Sequence, residues 1–457
     1  MRVCHTIQPV FDDPNLVAFG GLPAVMRLAE QAGLHELVEQ HLTLPGTAGS
    51  NAAVKVSALI AGMVVGADSI SDMDVLRHGG MGRVFDGLRA ATTLGTHLRA
   101  YRFGHVRQLD AVASRLLIKL AGLSPILDGA DQLTFVDVDD TIRETHGYRK
   151  QGAAYGYSRV KALNALVATI STPTSAPVIA ATRLRKGNVS SARGAARLIG
   201  DTLATLRRAT TPSLVIVRAD SAYFNHATIA AIAVGGARFS ITARMNTAVT
   251  RAITTINDTD WTTIRYPQAI YDEAQQVWIS DAEVAEVPFT AFTSRRKADH
   301  VTARLVVRRV RRLNPNAKAQ GELLPGYRYH AVFTNSTFAL VDAEACHRDH
   351  AVIEGIFADL KDGPLAHAPS GKFMANSAWL ALTAMAFNLT RAAARIASKT
   401  LGRARTSTVR RTLIQVAARI ANQARTWLLH LPRNWPWEPQ LATLYNAAFG
   451  PPAAASP

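Results

Sequence analysis

The sequence predicts an α/β core interrupted by a β-rich stretch and flanked by helical, basic regions. Three observations carry this. Strand-like runs, a helix and a further strand follow one another between residues 130 and 235. Short Thr/Val-rich segments then take over from 236 to 338, and helical periodicity with excess positive charge lies on either side. At 457 residues the chain is long enough for a core with accessory regions.

Residues 1–125 are expected to be helical. LPAVMRLAEQAGLHELVEQHL places apolar residues three and four apart, with Gly33 marking a break between two helices. The longest apolar stretch, Val54 to Val65, contains Lys55 and Ser57 and is too short to span a bilayer, so it reads as a buried helix. Arg77, Arg83, Arg89, Arg99, Arg102 and Arg107 face a single acid, Asp86, within their span. That stretch suits either a DNA-contacting module or a solvated face. Gly79, Gly80 and Gly82 lack the GxGxxG spacing of a nucleotide loop.

The core follows, its first part at 130–235. LTFVDVDD, KALNALVATI and SAPVIAATRL read as strands, ARGAARLIGDTLATLRRA as an amphipathic helix, and SLVIVRADSAYF as a buried strand ending on an acid. ARFSITARM, VWISDAEVAEVPFTAF, TARLVVRRVRR and YRYHAVFTN form the β-rich insertion of 236–338. Helices are expected from about Leu340 to Leu431. They comprise the core's second part at 339–395 and a basic helical region with a disordered tail at 396–457.

Charge points to the partner. Fifty-one Lys and Arg against thirty-four Asp and Glu give a net +17, which draws polyanions. Between Asp362 and Glu438 there are eleven basic residues and no acid, so the helices expected there cannot neutralise themselves through i, i+4 pairs. Arg403, Arg405, Arg410 and Arg411 are therefore expected to contact DNA phosphates. Two distant cysteines, Cys4 and Cys346, form no disulfide framework, and the opening MRVCHTIQPVFDDPN has no apolar signal region, which favours a cytosolic protein.

Three blocks carry candidate chemistry. Alternation along TFVDVDD puts Asp137 and Asp139 on one face and Asp140 on the other. Asp220 ends the apolar run LVIVRAD, where chemistry gathers in α/β sheets. In CHRDHAVIEGIFADLKDG, Ile353, Ile356, Phe357 and Leu360 make an amphipathic stripe that Glu354 borders. His347, His350, Glu354 and Lys361 stack along one helix side. Singly, each acid suits a turn, a cap or a solvated face. Together, two strand-end aspartates and a helical glutamate are what a ribonuclease-H-like nuclease uses to hold two metal ions for phosphoryl transfer.

These blocks resemble a known family, the bacterial insertion-sequence DDE transposases of the IS-four-like type, and within it the insertion-sequence 1380 group. VDVDDTIRETHG looks like the first-aspartate block and VIVRADSAYF like the second. His347 to Lys361 is similar to the signature Tyr, two residues, Arg, three residues, Glu, six residues, Lys. The resemblance implies a ribonuclease-H-like core and a catalytic, metal-holding triad of Asp139, Asp220 and Glu354, with Asp137 as runner-up for the first place. It implies two Mg²⁺ or Mn²⁺ ions, Lys361 on a DNA phosphate, and Trp261 or Trp278 against a flipped base. It also implies double-stranded DNA at transposon terminal inverted repeats and at the target, a homodimer in the DNA complex, no membrane, and a nucleoid-associated bacterial cytoplasmic setting. His347 and His350 stand where the signature has Tyr and Arg, which alters the phosphate clamp. Two alternatives stay open: a related metal-dependent nuclease, and a weakened or dead transposase-derived DNA-binding protein.

Overall fold

The computed structural model describes residues 6–146, 149–265, 271–272, 277–278, 282–311, 327–423 and 426–451. The chain forms two compact units. One comprises Met1–Ile126, Gly147–Gln151 and Asp359–Pro457, and the other Leu127–His146 and Gly152–Ala358.

The first unit opens with strand β1 (Leu16–Val17) and then runs helical, as the periodicity predicts. Helices α1 (Leu22–Gln31) and α2 (Leu34–His41) break at Gly33, whose φ of 71° lies in the left-handed region open to glycine. After α3 (Gly46–Gly49), the apolar run forms the buried helix α4 (Ala52–Val65). Its Lys55 is buried too, with Nζ donating to the carbonyls of Thr47 and Ala48. Helices α5 (Met81–Val84), α6 (Ala91–Arg99) and α7 (Phe103–Leu123) complete this half. Two of its arginines find acids just outside the arginine-rich span: Arg77 pairs with Asp74 at 3.0 Å and Arg107 with Asp110 at 2.9 Å.

The second unit is built on one large sheet. Its strands are β2 (Leu133–Glu144), β3 (Ala154–Tyr155), β4 (Lys161–Ser171), β5 (Val178–Lys186), β6 (Leu214–Ala219), β7 (Arg238–Thr242) and β8 (Thr262–Ile264). A separate two-stranded pair, β9 (Tyr271–Asp272) and β10 (Val277–Trp278), precedes β11 (Ala282–Ala291), β12 (Val301–Arg311) and β13 (Tyr327–Thr334). Helices α8 (Ala195–Ala209), α9 (His226–Val234), α10 (Thr247–Ile253), α11 (Leu340–Arg348) and α12 (Val352–Lys361) lie between and after them, α12 running on into the first unit. The sheet order is β3-β4-β2-β6-β7-β13-β12-β11-β8, with β5 also on β4. Antiparallel pairs join β2, β4 and β5, whereas β2, β6 and β7 run parallel. Strand β4 is buried along nearly its whole length, which explains why KALNALVATI reads as a continuous apolar run rather than an alternating one.

The strands of the β-rich stretch expected at 236–338 extend the core sheet. Strand β7 pairs with β6, and β13 then pairs with β7 from Val332 opposite Thr242 to Thr334 opposite Ser240. Its Thr/Val-rich composition reflects half-exposed antiparallel strands, not a different module.

The carboxyl-terminal part of the first unit centres on α13 (Phe373–Ala397), buried along most of its length and packed against α4 and α7. The short α14 (Thr406–Val409) follows. A π-helical turn continues over Arg410–Ile414, and the expectation of helix through Leu431 fails beyond it. Strands β14 (Ala418–Gln423) and β15 (Thr426–His430) form a hairpin, and β14 also pairs with β1. Val416, Ala418 and Ile420 are buried while Ala417 and Arg419 are exposed, a period of two hidden by alanines of high helix propensity. Helix α15 (Glu438–Phe449) returns afterwards.

The basic run is also less exposed than its composition suggests. Arg391 is buried, donating to the carbonyls of Gly402 and Ala404 at 2.9 and 2.7 Å, and lies 3.9 Å from Asp359. Arg410 is buried as well, donating to Thr406 Oγ1 and the Asp362 carbonyl, so it leaves the set of expected phosphate contacts. Arg403, Arg405 and Arg411 are exposed.

Candidate active site

The site is assembled where the parallel strands β2 and β6 end side by side. Their register sets Val138 opposite Ala219, so the next residues, Asp139 and Asp220, stand together past the last pair. Asp139 Oδ1 accepts from the Asp140 amide at 2.7 Å, and Asp220 Oδ1 from the Ala222 amide at 2.9 Å. Neither carboxylate is given a cationic side chain by these bonds. Burial, then the charges of Asp220 and Asp140, push Asp139 up to about 7 against the pull of its amide bond and His350. Asp220 is raised as well, by burial first and by Asp140.

Asp137 has the opposite fate. Both its oxygens are taken by Arg218, Nε to Oδ1 at 2.7 Å and Nη2 to Oδ2 at 2.8 Å, and His350 Nδ1 lies 3.0 Å from Oδ1. Burial alone would raise this carboxyl, but His350 and the guanidinium outweigh it and hold it below its usual range. Asp137, the runner-up metal ligand, is therefore committed to a buried ion pair. Arg218 also stacks over the Phe135 ring at 4.2 Å and donates to the Cys346 carbonyl at 2.7 Å, fixing α11 to the sheet. The sequence held a signal for this pair, since an arginine inside the apolar run VIVRAD must find a partner.

Asp140, on the other face of β2, anchors a second network that the sequence reading missed. Its Oδ2 accepts from Arg185 at 2.8 Å and from the Asn164 amide, and its Oδ1 from the buried Tyr223 hydroxyl at 3.0 Å. Arg185 further donates to the carbonyls of Ser191 and Arg193 at 2.6 and 2.8 Å. The strand-end acid is thus fixed to the loop before α8.

The glutamate block is helical, with a 3₁₀ turn at Asp349–Ala351 between α11 and α12. Glu354 is exposed and lines a 240 Å³ cleft together with His350, His347, Arg308, His330 and Glu344. Among the described residues, no three Asp, Glu, His or Cys side chains converge closely enough to hold a metal ion. Asp139 and Asp220 nonetheless suit a divalent cation, since both are oxygen donors whose charge nothing adjacent fully offsets. Glu354 stands apart from that pair.

The two histidines do not form a free clamp. His347 shares both ring nitrogens with hydroxyls, Nδ1 with Ser240 Oγ at 3.0 Å and Nε2 with Thr242 Oγ1 at 2.9 Å. Burial, then the neighbouring His350 and Arg218, push it down to about 3, so it is neutral at physiological pH and not the expected phosphate contact. His350 is turned toward Asp137. Trp261 carries the Arg309 guanidinium over one ring face at 4.2 Å, so a base stacking there must displace it. The side chain of Trp278 lies outside the described residues.

The His347 shift has a measurable sign. A histidine depressed on folding adds stability above its unfolded pKa, near 6.5, and loses it as pH falls toward 3. His347→Gln keeps hydrogen-bonding capacity without a charge to acquire. Its melting temperature should therefore fall less steeply than wild type between pH 6.5 and 4.5. Parallel melting curves would show that His347 is not the group that titrates.

Paired acids at the ends of adjacent parallel strands, with a helical glutamate following in sequence, are an arrangement suited to metal-dependent phosphoryl transfer. The family pattern for the transposase DDE domain, group 1, matches residues 4–448. The chain belongs to the DDE transposase family, whose members act on DNA in transposition and recombination. No curated protein matches it. No described helix is long and apolar enough to cross a membrane.

Proposed function

We propose that this chain is a transposase that cleaves DNA at transposon ends and transfers the freed strand into target DNA, working as a homodimer on DNA in the bacterial nucleoid. The observation that carries the reading is the Asp139–Asp220 pair, two carboxylates held side by side although burial raises both and the charge of Asp220 raises Asp139 further. The order β5-β4-β2-β6-β7, three antiparallel strands followed by two parallel ones, supports a ribonuclease-H-like core. Asp139 and Asp220 are the pair that would hold Mg²⁺ or Mn²⁺, and the likeness to the family makes Glu354 the third ligand, which would have to approach the pair from where it stands. Such ions would neutralise the charge that develops on the phosphate and on the attacking and leaving oxygens.

The chain's own residues do the positioning. Arg218 and Asp137 tie α11 and the 3₁₀ turn that leads into the glutamate-bearing helix to the strand that carries Asp139, through the Cys346 carbonyl and His350. The Asp140 network holds the end of that strand from its other face. Lys361, seven residues beyond Glu354, is assigned to a DNA phosphate, and exposed Arg403, Arg405 and Arg411 to the duplex backbone.

A test joins cleavage to binding. Duplexes carrying the DNA that flanks this gene should be cut at the element's ends in Mg²⁺ or Mn²⁺ and left whole in EDTA. Uncut DNA under both conditions would discard the catalytic reading and leave a DNA-binding protein. On the same duplexes, Arg403→Ala, Arg405→Ala and Arg411→Ala combined should flatten the log affinity against log salt slope by up to about 0.9 per lost contact. Arg410→Ala should lower stability instead, because its guanidinium is buried and bonded. An unchanged slope in the triple variant would make that run a solvated face.

A second reading has one observation in its favour. His347, in the position of the family's tyrosine, is buried and neutral, and His350 is engaged by Asp137. A copy with a weakened phosphate clamp would bind end DNA yet cut it slowly, which single-turnover rates on the same duplexes would reveal.

A further inference from the structure

Beyond the carboxylates, β3 and β4 form a hairpin whose tip is both aromatic and basic. Tyr155 and Tyr157 are 69% and 106% exposed, with Gly156 between them and exposed Arg159 two residues on. Large apolar rings fully in solvent lose nothing by leaving it, and their faces suit stacking on another planar group.

The tip is braced rather than loose. A Cβ on Gly156 would lie 2.5 Å from the Gly187 carbonyl oxygen, and one on Gly187 would lie 1.9 Å from that of Ala162. Only glycine permits backbone to meet backbone this closely. The Arg159 amide donates to the Gly156 carbonyl at 3.0 Å, closing a turn in which Arg159 itself adopts a φ of 58°. Gly187 N–H donates to the Gly152 carbonyl at 3.1 Å. Among the described residues Arg159 has no ion-pair partner.

Strand pairing fixes the reach. Thr145 is bonded to Lys161, and Lys161 is the register partner of Tyr155. Tyr155 is therefore level with a point six residues beyond Asp139 along β2. At about 3.3 Å per residue this is roughly 20 Å along the strands, with β3 two strand spacings to the side of β2, and about six nucleotides at 3.4 Å each cover it.

Resting on the proposed reading of Asp139 and Asp220, the geometry points to this hairpin as a docking site for DNA. Tyr155 and Tyr157 stack on unpaired bases of the end DNA about six nucleotides from the phosphate that is cut, and Arg159 engages the adjoining backbone. Stacking of bases on aromatic rings beside cations is how single-stranded segments are held without sequence readout.

The experiment uses the full chain and end duplexes carrying 5-iodouracil at successive positions on each strand. Irradiation should cross-link Tyr155 or Tyr157 at about five to seven nucleotides from the scissile phosphate. Tyr155→Ala with Tyr157→Ala should abolish the cross-link. The same pair should weaken affinity for duplexes unpaired at that position by roughly tenfold per ring. The two Tyr→Phe changes, which keep the ring, should retain that affinity. Arg159→Ala should flatten the salt slope by about 0.9, which the tyrosine variants should not do. Cross-links elsewhere, or affinity unmoved by the double Ala variant, would overturn the proposal. Cutting by wild type with no such cross-link sinks the hairpin alone, whereas loss of cutting in every condition sinks the reading of the carboxylates.

Discussion

Arg218→Ala should destabilise the sheet-bearing unit by about 3–5 kcal/mol, among the largest single-residue effects in the chain. The change strands the Asp137 carboxylate, which is fully buried and accepts both of its guanidinium bonds from Arg218. It also removes the donor to the Cys346 carbonyl and a cation stacked on Phe135. Urea unfolding followed by circular dichroism would measure it. Asp137→Asn combined with Arg218→Met should recover most of the loss, because no unpaired charge then remains. A small loss for Arg218→Ala alone would mean that Asp137 takes up a proton or water reaches it, and that the pair holds little of the fold.

Asp139→Asn or Asp220→Asn should abolish cleavage while leaving end-DNA affinity near wild type, since phosphate contacts lie elsewhere. The same variants should be more stable than wild type at pH 8 in EDTA. The sign follows from the direction of the shift. Asp139 is raised to about 7 against an unfolded value near 3.9. The folded state therefore holds its proton more tightly, a contribution present below the unfolded value and lost as pH rises through 7. The expected gain for Asp139→Asn at pH 8 is on the order of 1–4 kcal/mol, growing from pH 5 upward. Mg²⁺ or Mn²⁺ should raise the wild-type melting temperature at pH 8 and leave that of the variant nearly unmoved. Identical pH profiles for the two proteins would show that the pair is not in electrostatic conflict, and full cleavage by either variant would end its catalytic assignment.

Much of this architecture is legible in residue patterns. The alternation in TFVDVDD puts Asp140 on the face opposite Asp137 and Asp139, and the structure sends it to Arg185 and Tyr223 accordingly. The apolar run before Asp220 and the stripe around Glu354 likewise give a strand and a helix where expected. What pattern cannot give is partnership across the chain. Arg218 and Asp137 are 81 residues apart, and nothing local says that they share a salt bridge. His347 looks like an exposed cation from its helical spacing, yet hydroxyls on β7 receive it. Arg410 looks like one more charge in a basic run and is a buried brace. The hairpin at Ala418–His430 looks helical in sequence because alanine and glutamine favour helix locally, whereas pairing with β1 and burial of alternate residues decide the outcome. The family resemblance supplied the role of the three acids, which composition and periodicity left open.

The pairing of β13 with β7 has a consequence for how such a chain can change over generations. A segment that joins a protein as an independent cassette can be lost or exchanged with its host left whole. Here the stretch between Thr242 and Val332 supplies the outer part of the sheet, where β13, β12, β11 and β8 follow β7 in turn. Deletion would uncover the outer rim of β7, a row of open amide and carbonyl groups that invites other chains to add on. Changes to the connections between these strands should therefore cost the sheet less than changes to the strands themselves.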